Sequence, residues 1–111
     1  MIVDDDAGLL AALRFAFETE GMMVESYLSA EAALAAPAMA HDCVVLDQRL
    51  PGLSGLDLLE RLRSRGETAP ALLITSNPVA TTRARAMAAG VEIVEKPLLQ
   101  DVLTHRVRQL I

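Results

Sequence analysis

Four apolar residues and a carboxylate, Cys43-Val44-Val45-Leu46-Asp47, are followed closely by a proline and two glycines in Pro51–Gly55. A short apolar run closed by turn residues predicts a strand buried on both faces. Ala71–Thr75 repeats the pattern, and Met22–Leu28 and Val91–Glu95 follow it with more polar character. Met1-Ile2-Val3 opens the chain as a strand shorter than the usual ~five residues. Between these runs the apolar period changes to that of a helix. Leu9, Leu10, Leu13, Ala16 and Phe17 predict one closed by Gly21. Ser29 caps a second that runs to about Ala36 before Pro37, with Glu31 near its start. Leu56, Leu59 and Leu62 mark a third, with Arg61, Arg63 and Arg65 toward solvent and Gly66 at its end. An Ala-rich fourth helix spans about Ala80–Ala89 before Gly90. The last, about Leu99–Leu110, turns Val102, Leu103, Val107 and Leu110 inward. Strands alternating with helices predict a parallel sheet covered on both faces, an α/β doubly wound fold of five strands. Ligands of such sheets bind at the carboxyl ends of the strands, beside the switch point.

Composition narrows the classes. At 111 residues the chain builds one core, and 52% apolar content excludes disorder. Aromatics make up 3%, so the core is Leu, Ile, Val, Ala and Met. A net charge of -5 argues against direct nucleic-acid binding by this domain. A single cysteine excludes an internal disulfide, and Cys43 in its apolar run reads as a buried thiol, suited to a reducing cytoplasm. No apolar run reaches transmembrane length and no signal peptide is evident, so no membrane role is expected.

The strand ends carry the chemistry. Asp4-Asp5 ends the first strand, Asp47 the third, Thr75 the fourth and Lys96 the fifth. Asp6 serves the ordinary role of capping the first helix. Three carboxylates on one rim repel unless a cation intervenes. A hard divalent ion, Mg²⁺, takes such oxygen ligands. Asp5 and Asp47 are candidate ligands, Asp4 orients a water beside them, and the backbone carbonyl of Arg49 is a further candidate. Asp47 is also a candidate nucleophile toward phosphorus, forming an acyl phosphate. Mg²⁺, the Lys96 ammonium and the Thr75 hydroxyl would stabilise the charge on the transferring phosphoryl oxygens. Lys96 is the only lysine in the chain, a compact point charge fixed by Pro97. Whether the bond before Pro97 is cis is open at this level. His41 and His105 read as structural, Arg83 and Arg85 as a solvated face, and Asp57 and Glu60 as ordinary helix charges.

These residues resemble the receiver domain of bacterial two-component response regulators. Val3-Asp4-Asp5-Asp6 is similar to the family's acidic opening, and Asp47 with Pro51 and Gly55 to its phospho-acceptor strand and loop. Ile74-Thr75-Ser76 is similar to its hydroxyl switch, and Glu95-Lys96-Pro97-Leu98 to its lysine–proline motif. Asp47-Gln48-Arg49-Leu50-Pro51 and Val94-Glu95-Lys96-Pro97 most resemble the nitrogen-fixation-regulator-like subgroup. The resemblance spans residues 1–111 as one receiver domain, any output domain being absent from this chain. It implies a flavodoxin-like (βα)5 fold with strand order 2-1-3-4-5. It further implies that Asp47 takes phosphate from the phosphohistidine of a sensor histidine kinase or phosphotransfer protein. Mg²⁺ would bind to Asp4, Asp5, Asp47 and the Arg49 carbonyl. Thr75 would move toward the phosphate and Lys96 would pair with it. The fourth helix, fifth strand and last helix would then meet an output domain, form a homodimer, or both, the family's route to transcription regulation in the cytoplasm. Ser76 leaves room for phosphate, and Asn77 and Gln48 lie where the family tunes phosphate lifetime.

Three features depart from the family. Ile93 stands where a switch aromatic is expected, the Gly90–Lys96 segment is one residue short, and Pro78 stiffens the loop before the fourth helix. They bear on output rather than phosphoryl transfer, and Ile93 favours the alternative of a phosphate-independent interaction module. A Mg²⁺-dependent phosphatase would place a second aspartate where Arg49 stands. A nucleotide-binding domain would need a Gly-rich loop after the first strand.

Overall fold

A computed structural model describes residues 1–98 and 101–111. Strands β1 (Ile2–Val3), β2 (Ser26–Tyr27), β3 (Val44–Asp47), β4 (Ala71–Thr75) and β5 (Glu92–Glu95) alternate with five helices. These are α1 (Ala7–Thr19), α2 (Ala30–Ala35), α3 (Gly55–Ser64), α4 (Ala80–Ala88) and α5 (Val102–Leu110). The strands form one parallel sheet in the order β2-β1-β3-β4-β5. The doubly wound architecture and strand order expected from the sequence are therefore present.

The alternation of side chains along each strand splits the apolar runs between two cores. Val3, Val44, Leu46 and Leu73 pack with Ala30 and Ala33 of α2, Leu56, Leu59 and Leu62 of α3, and Ala86 of α4. Ile2, Val45, Leu72 and Ile74 pack on the opposite face with Leu10, Leu13 and Phe17 of α1 and Leu103 and Val107 of α5. Every residue of β3 and β4 is buried. That is why these strands read as unbroken apolar runs, and why their terminal Asp47 and Thr75 are buried polar groups.

Four expectations need correction. β2 covers two residues rather than Met22–Leu28, because β1 offers pairing only from Ile2, opposite Ser26. Met22 and Val24 still pack on the α1/α5 core. Arg65 does not face solvent: its guanidinium donates to the Leu34 and Ala36 carbonyls (2.9 and 3.2 Å). It thereby satisfies groups that α2 leaves open at its C-terminus. Arg63 donates to the Glu67 carbonyl at 3.0 Å. Val102 is 45% exposed, since the inward stripe of α5 runs through Leu103, Val107 and Leu110. The predicted start of the last helix, at Leu99, lies outside the described residues.

Candidate functional site

The connections place three acidic residues together at the carboxyl end of the sheet. Val3 pairs with Leu46, so Asp4 follows β1 next to Asp47 at the end of β3. The Asp6 side chain accepts the Leu9 N–H at 3.0 Å and caps α1. The Asp6 N–H in turn donates to Asp4 Oδ1 at 2.9 Å, fixing that carboxylate. Asp4, Asp5 and Asp47 each offer an oxygen, all lying within 4.8 Å of one another. Asp4 is 0% exposed and Asp47 3%, whereas Asp5 is open to solvent.

Lys96 reaches this cluster from beyond β5. Its Nζ lies 3.4 Å from Asp47 Oδ1 and 3.9 Å from Asp4 Oδ2. The longer separation exceeds hydrogen-bond reach, so Asp4 Oδ2 is buried without a donor. The Lys96 N–H donates to the Thr75 carbonyl at 2.9 Å, which ties the lysine's backbone to β4. The Lys96–Pro97 peptide is cis. Asp47 is in register with Ile74, so Thr75 stands one residue further along β4, with its side chain buried.

Burial raises the pKa of both Asp4 and Asp47. For Asp4, the Asp6 N–H and Lys96 work against that rise. For Asp47, the Asp4 charge adds to it, while Lys96 and the Arg49 N–H oppose it. One ammonium leaves three carboxylates incompletely neutralised. A buried oxygen with no donor, in an oxygen-only set next to a solvent-facing carboxylate, fits a hard divalent cation that retains water.

The β3–α3 loop turns through Gly52 at φ +81°. Beyond it, Gly55 opens α3 in direct apposition to β3. A Cβ on Gly55 would lie 2.5 Å from the Asp47 carbonyl oxygen and 2.9 Å from Leu73 Cδ1. Only glycine permits that approach. The backbone N–H of Arg49 helps to favour the ionised Asp47 carboxylate, and the Arg49 side chain is exposed. The Gln48 side-chain oxygen accepts the Leu56 N–H at 3.0 Å, so its amide serves the start of α3. Asn77 is exposed with φ 44°, a left-handed geometry that asparagine tolerates better than most residues.

A second polar cluster lies at the amino end of the sheet. His41 Nε2 contacts Glu25 at 2.8 Å and Nδ1 contacts Glu67. Burial works against the Glu67 carboxylate, but hydrogen bonds from His41 and the Ala69 N–H together hold its pKa below the ordinary value. Nothing in the local sequence signals this cluster, because its three members come from segments far apart in the chain.

An open parallel sheet that gathers acidic residues, a hydroxyl and a lysine at its strand ends has the architecture of a receiver-type signalling domain. The response regulator receiver domain family matches residues 1–108, and the chain belongs to that family. It is 35% identical over 112 residues to the transcriptional regulatory protein FixJ of Bradyrhizobium diazoefficiens, covering 99% of this chain and 55% of that protein. It is 34% identical to the phosphate regulon regulator PhoB of Rhizobium meliloti, covering 99% of this chain and 50% of that protein. The chain thus spans about half the length of the curated relatives it matches. Among solved structures, the response regulator StyR superposes with a TM-score of 0.85 at 33% identity, covering 98% of this chain and 56% of that one. A CheY-like receiver domain from Methanospirillum hungatei superposes with a TM-score of 0.88 at 24% identity, covering 97% of this chain and 88% of that one. This likeness attests the fold. The chain is therefore a two-component receiver domain, homologous to transcriptional regulators. Among the described residues, no helix is long and apolar enough to cross a membrane.

Proposed function

We propose that Asp47 is the phosphoacceptor of a Mg²⁺-dependent switch that takes its phosphoryl group from a sensor histidine kinase or phosphotransfer protein. The observation carrying this reading is the Asp47 carboxylate at a rigid strand end, 3.4 Å from the Lys96 ammonium and beside Asp4 with its unpartnered oxygen. An Asp47 oxygen attacks phosphorus, the P–N bond of the phosphoimidazole breaks, and the donor imidazole leaves with a proton. Lys96 is within reach of the charge that arrives. Thr75 offers a hydroxyl on the neighbouring strand. Asp4, Asp5, Asp47 and the Arg49 carbonyl would hold Mg²⁺, which when bound neutralises charge on the phosphoryl oxygens. Hydrolysis of the aspartyl phosphate resets the domain, so any self-catalysis serves switching rather than substrate turnover.

The α4–β5–α5 face is the proposed output surface, meeting an output domain or a second copy of the chain. The transcriptional regulators among the relatives support transcription control as the eventual output. Residues 1–111 act as one receiver unit in a reducing cytoplasm. Ile93 favours a second reading, a phosphate-independent interaction module, since its aliphatic side chain packs on the α2/α3 core and has no ring to swing behind Thr75. Intact-protein mass spectrometry after incubation with acetyl phosphate and Mg²⁺ separates the two. One added phosphoryl group, absent without metal and in Asp47→Asn, supports the switch. A folded wild type that binds Mg²⁺ and takes no phosphoryl group supports the interaction module.

A further inference from the structure

The backbone N–H, the backbone carbonyl and the side-chain oxygen of Gln48 are all engaged. Its N–H donates to the Ile74 carbonyl of β4 at 2.9 Å, and its carbonyl accepts the Gly55 N–H at 3.0 Å. Its side-chain oxygen accepts the Leu56 N–H at 3.0 Å. A helix leaves its first four N–H groups without internal partners. In α3 those of Gly55 and Leu56 go to Gln48. Those of Ser54 and Asp57 go to the Asp57 carboxylate and the Ser54 hydroxyl. Gln48 therefore closes the loop between the acceptor strand and α3 at both ends, and completes the start of the helix.

The peptide joining Gln48 to Arg49 is held through its carbonyl, which accepts the Gly55 N–H at 3.0 Å. Rotating this plane would break that bond. The side-chain bond to Leu56 resists that rotation, because it anchors the same residue to the helix that carries Gly55. The helix start stands so close to β3 that a Cβ on Gly55 would lie 2.5 Å from the Asp47 carbonyl oxygen.

We infer that Gln48 is a positioning residue: its amide fixes the Gln48–Arg49 peptide and with it the start of the loop that carries the Arg49 carbonyl, the proposed Mg²⁺ ligand, beside Asp47. This rests on the reading of Asp47 as phosphoacceptor. Gln48 touches neither the reacting atoms nor the three acidic oxygens. Losing its amide should act on the orientation of Arg49 and hence on both metal affinity and transfer rate. Partners that orient a ligand from one shell out typically contribute about 10–100-fold in affinity or activity.

The test compares wild type with Gln48→Met, which keeps the length and removes the acceptor, and with Gln48→Glu, which restores an acceptor at the helix N-terminus. Ser54→Ala frays the same helical turn without touching Gln48. Three quantities are read: Leu56 amide exchange, Mg²⁺ affinity by calorimetry with Mg²⁺ alone, and the acetyl phosphate rate at saturating Mg²⁺. Gln48→Met should lose Leu56 protection and fall about tenfold in Mg²⁺ affinity and in rate. Gln48→Glu should recover Leu56 protection and most of the rate, and Ser54→Ala should keep both functional values. If Gln48→Met does not fold, Gln48→Asn, whose amide falls short of Leu56, takes its place with the same expectation. Lost Leu56 protection with unchanged affinity and rate overturns the inference. So does an equal loss in Ser54→Ala, which would assign the effect to helix fraying. A wild type that accepts no phosphoryl group overturns the acceptor reading itself, and the positioning role with it.

Discussion

Asp4 combines full burial, a fixed Oδ1 and an unpartnered Oδ2. Its pKa is raised in the fold, chiefly by burial, so its ionisation costs stability. That cost is absent below the unfolded-state pKa and grows as pH rises through the folded value. Asp4→Asn should therefore raise the melting temperature of the metal-free protein at neutral pH while removing most of the stabilisation by Mg²⁺. Thermal melts with and without Mg²⁺ check both. Gly55→Ala sets a Cβ against the Asp47 carbonyl oxygen. Urea denaturation should show a loss of about 1–3 kcal/mol, the usual range for overpacking, with slower phosphorylation because the acceptor strand must shift. His41→Ala leaves the buried Glu67 without its main partner. It should cost on the order of 1–3 kcal/mol and leave the phosphorylation rate unchanged, since His41 lies at the far end of the sheet. The strand-end positions of Asp47, Thr75 and Lys96 could be read from the sequence, because the first two close unbroken apolar runs and Lys96 follows the Val91–Glu95 strand. His41 with Glu25 and Glu67 could not, since folding alone brings them together, and neither could the direction of the Gln48 amide.

Among the helices, α4 is the most weakly embedded. Ala86 is its buried residue, and Val79 gives it no side-chain cap. Ion pairs hold it in place. Arg85 reaches Asp57 at 2.8 Å and Glu60 at 3.3 Å on α3, and Arg83 pairs with Glu95 on β5. The sequence reading of these arginines as a solvated face missed those partners, because α3 and β5 approach α4 only in the folded chain. Asp57 also accepts the Ser54 N–H at 3.2 Å and completes the capping box of α3. Its pKa is lowered by Arg85 first and by Ser54 next. The stabilisation is thus present above the ordinary carboxylate range and is lost as pH falls through the lowered folded value. Exposed pairs are screened by salt. Hydrogen exchange should therefore show α4 loosening in high salt and in strong acid but not across roughly pH 6–8. Arg85→Ala should show the same loosening at low salt. Unchanged α4 exchange in Arg85→Ala would mean that the Ala86 contact alone secures the helix.

The whole molecule is a sheet whose two faces bury different residues of the same strands. Period-2 alternation is hidden when both faces are apolar, yet the runs themselves and the turn residues between them disclosed the five strands and their parallel order. The short β2 was not readable, because its length depends on what β1 offers for pairing. The coupling from site to surface was readable only at Ile93, which supplies an aliphatic contact where the family has a ring. The half-buried Lys96 and the β5 residues before it join the acidic rim to the face formed by α4, β5 and α5. Glu92 pairs with Arg106 of α5, as Glu95 does with Arg83 of α4, so β5 is tied to both flanking helices. A change at Lys96 has polar as well as apolar contacts through which to reach that surface.

The switch itself depends on Asp47 carrying the phosphoryl group. The direct measurement is to phosphorylate the protein with acetyl phosphate and Mg²⁺, reduce it with borohydride, and map the product by peptide mass spectrometry. Reduction converts an aspartyl phosphate to homoserine. Homoserine at position 47, absent when Mg²⁺ is chelated, is the predicted result. Unreduced aspartate at 47 in protein that has gained a phosphoryl group elsewhere would contradict the assignment of Asp47 as the acceptor.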